Sequence, residues 1–402
     1  MSSKTLKARM LAALELMEPA IVDELRDQLF VLVFDSVTDG GEHSLALSIT
    51  TPKRSRFVAI SSFIDEESMT TDKHIRFLNL ILDQYGLDVC NLVGIVCDNM
   101  KTNKAIARRI KAPMIGCATH RIHATSSKRL HADAELKTVK RIAVLRKNGF
   151  SLKSVPMHEL RWSDIYRMLK RYKEPHLYLH FFERDTSADK DIQKDAPADD
   201  ARLLPIVKFL PTAEEHSVLM DVLDSLMLLE DSDQRLQRKY SSLLTARDIF
   251  DEALIYFSEL AGRLKADANI VESTNFEAAI VKIMNGLKKD LSSEEMEAAV
   301  QLLNEPKSPV QFAGPTRKRH PTMSNLKTRR AKTTANTIRT TIDHDSMQER
   351  RQEKSKYIDL SWIPATSVEV EKLFPSVKFI LGYLRKSMNA ETLEAILFLQ
   401  MN

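Results

Sequence analysis

The sequence predicts an α/β fold in which helices flank a five-stranded mixed sheet and an all-helical domain interrupts the core. In the first part of the chain, short apolar runs of strand length alternate with segments whose apolar residues recur at helical spacing. A long stretch in the second half has helical spacing throughout. With 402 residues, of which 43% are hydrophobic and 28% charged, the chain can bury a large core.

Five apolar runs are predicted as strands. Residues 30–34 are continuously apolar, which is typical of a central strand covered on both faces. The other predicted strands are residues 44–50, 56–63, 92–97 and 114–117. The turn-forming residues 51–53 separate the second strand from the third, so the first three strands are predicted to form an antiparallel meander.

Helical spacing predicts helices around these strands, at residues 6–29, 72–85, 101–110 and 119–145. The last two strands each follow a helix, so we expect them to be joined by crossovers and to run parallel. Three antiparallel strands followed by two parallel ones is the ribonuclease H-like order. Residues 1–28 are therefore assigned to an N-terminal helical segment, and residues 29–183 to the first part of a ribonuclease H-like core.

Beyond this core, linkers alternate with helical regions. Residues 184–202 are acidic and rich in small side chains, so they cannot bury enough apolar surface to fold and are predicted as a linker. Residues 203–314 are predicted as a helical insertion domain, because wide apolar stripes recur along them. A basic linker at 315–356 is predicted to be disordered, and 357–402 is predicted as a C-terminal helical segment that completes the core.

The net charge of +4 and the pI near 8.7 are mild, so attraction for nucleic acid must come from local clustering. Residues 317–339 hold such a cluster and contain no Asp or Glu. Its basic residues are Arg317, Lys318, Arg319, Lys327, Arg329, Arg330, Lys332 and Arg339. They predict contacts with phosphates or a nuclear import signal, and a solvated linker without function is the alternative.

Three cysteines are too few for a disulfide scaffold and indicate a reducing compartment, the cytosol or the nucleus. The first ten residues carry charge and lack the long apolar run of a signal peptide. No apolar stretch approaches the roughly 20 residues that span a bilayer. We therefore expect a soluble protein with no membrane partner.

Two aspartates carry the strongest chemical signal. Asp35 and Asp98 follow apolar strands that should be neighbours in the sheet, so their carboxylates are expected to converge. Mg²⁺ prefers oxygen ligands, and two such ions can support phosphodiester cleavage. The alternative is that each aspartate is an ordinary turn residue at a strand end.

Five sequence blocks, in the same order as in the family, resemble the hAT superfamily of cut-and-paste DNA transposases. They are Phe34-Asp35-Ser36-Val37-Thr38-Asp39-Gly40 followed by His43, Val96-Cys97-Asp98-Asn99 with Asn103, Gly116-Cys117-Ala118-Thr119-His120-Arg121, Arg161-Trp162-Ser163, and residues 364–374 from Pro364 to Phe374. Together the blocks cover most of the chain, which makes the resemblance more specific than any single motif.

The resemblance implies that Asp35, Asp98 and Glu371 bind Mg²⁺ or Mn²⁺, with His120 near the scissile phosphate. Glu371 is chosen over Glu369 by the family's spacing alone, since both flank the same apolar stripe. The C-terminal helical segment from Glu371 onward resembles the family's dimerisation region, and the alternative is that its apolar stripe packs within one chain.

The block Arg161-Trp162 implies contact with DNA, in which the tryptophan supports an extruded base. The alternative for Trp162 is a core anchor for the helix predicted around residues 165–169.

Cys117, His120 and His123 also suggest part of a zinc site. Structural zinc usually takes four ligands, often as two close pairs, and no second pair with suitable spacing is present. We therefore expect a buried Cys117 beside a hydrogen-bonded His120.

Departures from the family pattern bear on activity. Residues 36–38 stand where the family has tryptophan, and Lys372 replaces an arginine while keeping the charge. Pro375 replaces a serine, and in a continuous helix its ring would clash with the carbonyl of Glu371 and misplace the third ligand. No BED-type zinc-finger pattern precedes residue 30, and the sequence ends at Asn402 where the family continues, so a truncated or domesticated copy is expected.

The preferred interpretation is a nuclear, transposase-derived protein that binds DNA, forms a homodimer or higher homo-oligomer, and retains metal-dependent strand cleavage and transfer. The alternative is a catalytically inactive copy that serves as a DNA-binding or dimerisation module. A nucleic-acid exonuclease would share the fold but needs a fourth carboxylate, for which the sequence offers no candidate.

Overall fold

The structure is a computed structural model. It describes residues 2–39, 42–62, 70–130, 162–176, 211–239, 241–304, 355–381 and 390–402. The predicted acidic linker and nearly all of the predicted basic linker lie outside these ranges.

A five-stranded mixed sheet forms the centre of the fold, as the sequence predicts. Its strands are β1 (Phe30–Asp39), β2 (Glu42–Thr50), β3 (Ser55–Ser62), β4 (Leu92–Cys97) and β5 (Met114–Gly116). Their order across the sheet is β3-β2-β1-β4-β5. The first three strands pair antiparallel, whereas β4 runs parallel to β1 and β5 runs parallel to β4. The prediction of a mixed α/β fold with a five-stranded sheet is confirmed.

Strand β1 is longer than the apolar run predicts. It continues past Phe34 to Asp39, because residues 35–39 stay paired with β2, from Asp35 opposite Ala46 to Asp39 opposite Glu42. Its pairing with β4 ends earlier, at Val33. The paired residues of β1 and β2 therefore extend beyond the part of β1 that pairs with β4.

Helices flank the sheet in the predicted order. They are α1 (Ser3–Leu25), α2 (Thr71–Gln84), α3 (Lys101–Ile110), α4 (Ala118–Leu130) and α5 (Trp162–His176). Helix α1 ends before the predicted position 29, because Asp27 takes a left-handed backbone conformation with φ of 58°. Helix α2 starts where the Thr70 side chain accepts the Lys73 amide, and α3 matches its predicted bounds.

Residues 211–239 and 241–304 are mostly helical. The helices are α6 (Ala213–Leu236), α7 (Leu243–Tyr256), α8 (Ala261–Leu264), α9 (Thr274–Met284) and α10 (Ser293–Ala298). A capping box between Thr212 and Glu215 starts α6, which packs on α4, α5 and α7. The continuous apolar pattern over 243–264 is divided in the structure, because the backbone of Phe257 leaves the helical region and a 3₁₀ turn follows.

The C-terminal segment returns to the sheet. It contains α11 (Val368–Glu371), α12 (Leu373–Leu381) and α13 (Ala390–Met401). Helix α11 packs on β1 and β2, while α13 packs on β3 and α1. The amide of Ala118 donates to the carbonyl of Ala365 at 2.9 Å, which ties this segment to the start of α4. The segment thus covers the sheet from the far end of the sequence.

Apolar side chains of the sheet and of its covering helices form the core. Phe30, Leu45 and Ile95 are fully buried in it. Among the helices that the structure describes, none combines the length and the apolar character needed to cross a membrane.

Candidate functional site

Asp35 of β1 and Asp98, which directly follows β4, lie level with each other where the pairing of these two parallel strands ends. Asp35 is not at the end of its strand as predicted, because pairing with β2 extends β1 to Asp39. Val33 of β1 pairs with Val96 of β4, and Asp35 and Asp98 each follow two residues later. Asp35 is buried, and its Oδ1 accepts the Ser36 amide at 2.8 Å. The ladder register is therefore what places the two carboxylates at one end of the sheet.

Neighbouring groups orient the Asp98 side chain. Its Oδ1 accepts a short hydrogen bond from the Asn103 amide group and a second one from the Met100 backbone at 3.4 Å. Asn103 is buried on α3, whose first turn follows directly after the strand. The Asn-x-x-x-Asn spacing of Asn99 and Asn103 thus serves Asp98, since the second asparagine reaches back over one helical turn.

Cys117, His120 and Glu371 meet beside this strand end. The Glu371 Oε1 atom lies 3.6 Å from Nδ1 of His120 and 3.7 Å from Sγ of Cys117. Cys117 follows β5 and His120 lies in the first turn of α4, while Glu371 ends α11. Residues separated by about two-thirds of the chain are therefore brought together by the packing of α11 on the sheet.

These charges influence one another. Burial raises the pKa of Asp35 to about 7, and the negative charges of Glu371 and Asp98 add to this effect against the opposing charge of His120. Burial also raises the pKa of Asp98. Burial lowers the pKa of His120, but Cys117, Glu371 and Asp35 outweigh it and raise the value to about 10. The predicted site residues therefore share one electrostatic environment, in which a cationic His120 faces the carboxylates.

The structure brings some of the predicted site residues into a tight group and leaves others outside it. Within the part of the chain that it describes, the tight group of metal-ligand types consists of Cys117, His120 and Glu371, whose ligand atoms all lie within 4.8 Å of one another. Asp35 and Asp98 lie outside that group.

The predicted DNA contacts fall mostly outside the described residues. Arg161 and the basic cluster at 317–339 lie outside them, and so does the side chain of Trp162, although this residue begins α5. Their predicted roles stay predictions.

The expectation for Cys117 and His120 is met in part. Cys117 is fully buried, but the buried Nδ1 of His120 has no hydrogen-bond partner among the described residues. His123 lies apart from this group and pairs with Asp233 at 3.2 Å. Glu371, instead of His123, completes the group with Cys117 and His120. No local sequence spacing links Glu371 to Cys117.

Pro375 does not disturb Glu371. The clash requires a continuous helix, but the chain divides at Lys372 into α11 and α12. Pro375 is the third residue of α12, within the first turn, where backbone amides have no partner in the helix. The proline is therefore compatible with the observed position of the glutamate.

A buried ion pair that the sequence does not predict supports this site. Arg121, next to His120, donates to Glu277 of α9 at 3.3 Å and to the carbonyls of Arg263 and Lys265 at 3.0 and 2.9 Å. Glu277 also accepts the amide of Gly116 at 3.2 Å. The pair joins the end of β5 and the start of α4 to the helical region. Its one sequence signal is a glutamate inside the apolar stripe of residues 276–287.

Neither a scan against protein-family models nor a search of curated proteins finds a match to this chain.

The buried Asp35 carboxyl should make stability depend on pH. Its pKa rises from an ordinary 3.8 to about 7, so between these values the folded state holds a proton that the unfolded state has released. Stability from this group is therefore complete below about pH 4 and is lost as the pH rises through about 7, by at most about 1.4 kcal/mol per pH unit. Asp35→Asn should remove this contribution.

Urea unfolding of the metal-free protein at several pH values from 4 to 8 measures the effect. Wild type should lose stability relative to Asp35→Asn as the pH rises, whereas the exposed Asp83 changed to Asn should follow wild type. A constant difference between wild type and Asp35→Asn would contradict a proton held by Asp35.

Proposed function

We propose that this protein is a hAT transposase-like, ribonuclease H-like nuclear protein that binds DNA and cleaves its strands with Mg²⁺ or Mn²⁺. The observation that carries the proposal is the placement of Asp35 and Asp98 level with each other where the pairing of β1 with β4 ends, with His120 and Glu371 in the same electrostatic environment.

The sheet supports the fold assignment. Three antiparallel strands followed by two parallel ones, in the order β3-β2-β1-β4-β5, correspond to the ribonuclease H-like arrangement that the sequence blocks imply. Helix α11 then supplies Glu371 from the C-terminal segment, after the helical region. This is the chain order that the resemblance implies for the third acidic residue.

The donor set suits a hard divalent cation. Asp35, Asp98 and Glu371 would hold it through carboxylate oxygens, leaving room for water and phosphate oxygens. When bound, such ions activate the attacking oxygen and stabilise the leaving oxygen of a phosphodiester. The protein itself contributes the orientation of Asp98 through Asn103, and a cationic His120 that favours an anionic phosphate beside it.

A second candidate function is a DNA-binding or dimerisation module without cleavage. Two observations favour it: Ser367 and Cys117 contact the Glu371 carboxylate, and the three acidic residues do not form one tight group among the described residues. Phe379 on α12, in the region that resembles the family's dimerisation segment, is 89% exposed, so its ring is available for contact with a second copy.

Nicking of supercoiled plasmid separates the two candidates. Purified protein with Mn²⁺ or Mg²⁺ should convert supercoiled DNA to the open circle, and an excess of EDTA should stop the conversion because the carboxylates then hold no ion. If the protein binds DNA but does not nick it at the same protein concentrations, the cleavage proposal is rejected and the DNA-binding or dimerisation module is supported.

DNA binding should depend steeply on salt. If the cluster at 317–339 binds phosphates, its removal should flatten the plot of log K against log salt by up to about 0.9 for each phosphate that the protein no longer neutralises. Fluorescence anisotropy with a duplex over a salt series measures both slopes. The matched control replaces the basic residues of the cluster with glutamine at unchanged length; an unaltered slope in this variant would show that the cluster does not bind DNA.

A further inference from the structure

The group formed by Cys117, His120 and Glu371 has the spacing of ligands around a single tetrahedral metal ion. Zinc bonds of about 2.3 Å to sulfur and about 2.1 Å to nitrogen and oxygen, at tetrahedral angles, separate sulfur from oxygen by about 3.6 Å and nitrogen from oxygen by about 3.4 Å. The corresponding separations in the structure are 3.7 Å and 3.6 Å, and all three ligand atoms lie within 4.8 Å. An ion therefore fits with small side-chain movements.

Neighbouring groups hold two of the three ligands in place. The backbone amide of Ser367 donates to Sγ of Cys117 at 3.3 Å, and the Ser367 hydroxyl donates to Glu371 Oε1 at 2.8 Å. Thr119 adds a hydroxyl 3.0 Å from the same sulfur. Ser367 is fully buried, so these contacts are shielded from water. Outer contacts of this kind orient metal ligands and stabilise a thiolate.

The third ligand, His120, has a buried ring nitrogen that lacks a hydrogen-bond partner among the described residues. Nδ1 of His120 is buried, faces the Glu371 carboxylate, and has no hydrogen-bond partner among the described residues. A buried nitrogen without a partner is costly, and a metal ion that displaces the proton on Nδ1 would bind its lone pair. The His120 and Glu371 side chains are nevertheless 34% and 28% exposed, so an ion can reach them from solvent.

We propose that Cys117, His120 and Glu371 form a mononuclear site for Zn²⁺ or a similar transition-metal ion. Thiolate and imidazole ligands favour such ions, whereas Mg²⁺ prefers oxygen ligands alone. Three protein ligands leave a fourth position open to water or an anion, as in exchangeable zinc sites. The site is distinct from the oxygen-ligand site of the proposed nuclease, but the two share Glu371.

Sharing Glu371 has a regulatory consequence. An ion at the Cys117 site occupies the glutamate that the oxygen-ligand site requires, so Zn²⁺ is expected to oppose Mg²⁺-dependent cleavage. The zinc site itself does not depend on DNA cleavage and can be tested without it.

Co²⁺ titration followed by optical absorption tests the site directly. The full-length protein should bind one equivalent of Co²⁺ with a thiolate-to-metal charge-transfer band and tetrahedral visible bands, and Zn²⁺ but not Mg²⁺ should displace it. Cys117→Ser should abolish the charge-transfer band, while His120→Gln and Glu371→Gln should weaken binding at least about 10-fold.

Matched controls lie close by in the sequence. Cys90→Ser, His123→Gln and Glu369→Gln change the same residue types outside the cluster and should keep the wild-type spectrum. If circular dichroism shows that Cys117→Ser does not fold, the Co²⁺ affinity of Glu371→Gln tests the site instead. The Glu371 side chain is partly exposed, so this variant is expected to fold. Folded wild type without a charge-transfer band, or an unchanged Co²⁺ affinity in Glu371→Gln, would overturn the site. A protein that never nicks DNA but shows the band would reject only the nuclease.

Discussion

Replacing Asp98 with alanine is expected to abolish metal-dependent nicking of plasmid DNA. The carboxylate is held at the end of β4 by Asn103 and by the Met100 amide, so it is already oriented before an ion binds. Loss of an outer partner of a metal ligand costs about 10–100-fold in activity, so loss of the ligand itself should cost at least about 100-fold. Alanine also removes a partly buried acid whose charged form is disfavoured, so the fold should persist.

The rate of open-circle formation with Mn²⁺ measures the effect. Asp98→Asn, which keeps the volume and can still bond to Asn103, should be almost as inactive, because an amide is a poor ligand for a hard cation. Asp83→Ala, an exposed aspartate on α2, serves as the control and should retain the wild-type rate. Nicking that survives in both Asp98 variants would come from a contaminant or from another site.

Changing Glu277 to glutamine is expected to have the largest effect on stability. Arg121 and Glu277 are both buried, with side chains 3% and 8% exposed, and they face each other at 3.3 Å. The glutamine keeps the shape but removes the negative charge that faces Arg121 at 3.3 Å, and breaking a buried pair in this way costs about 3–5 kcal/mol. The cation also lies over the Phe250 ring at 4.8 Å, so it cannot easily turn toward water.

Urea unfolding followed by circular dichroism provides the comparison. The matched control is Glu252→Gln, which removes a partner of Arg235 but is 52% exposed and should cost less than about 1 kcal/mol. Equal losses of stability in the two variants would mean that the Arg121 pair is hydrated. Since Arg121 adjoins His120, the Glu277 variant should also weaken Co²⁺ binding, and Glu252→Gln should not.

The local pattern of apolar and polar residues was sufficient to predict much of the fold. The apolar runs located all five strands, and β4 and α3 have their predicted bounds, because side-chain periodicity reports which face of an element is buried. Asp98 follows its strand as the same runs predict, whereas Asp35 lies within β1, because pairing with β2 extends this strand beyond its apolar run. Errors arose where the backbone departs from the pattern: Phe257 interrupts a helix despite apolar neighbours, and Lys372 divides the segment that contains Pro375.

The partners of the site residues were decided by tertiary structure. Cys117 lies next to Glu371 and Arg121 next to Glu277 only because α11 and α9 pack against the start of α4 and the end of β5. No periodicity connects residues so far apart in sequence, and a buried polar side chain is chosen by the contact it satisfies rather than by its neighbours in the chain. The sequence by itself thus determined the strands and the two aspartates, through hydrophobic burial, whereas packing between distant segments determined what surrounds His120.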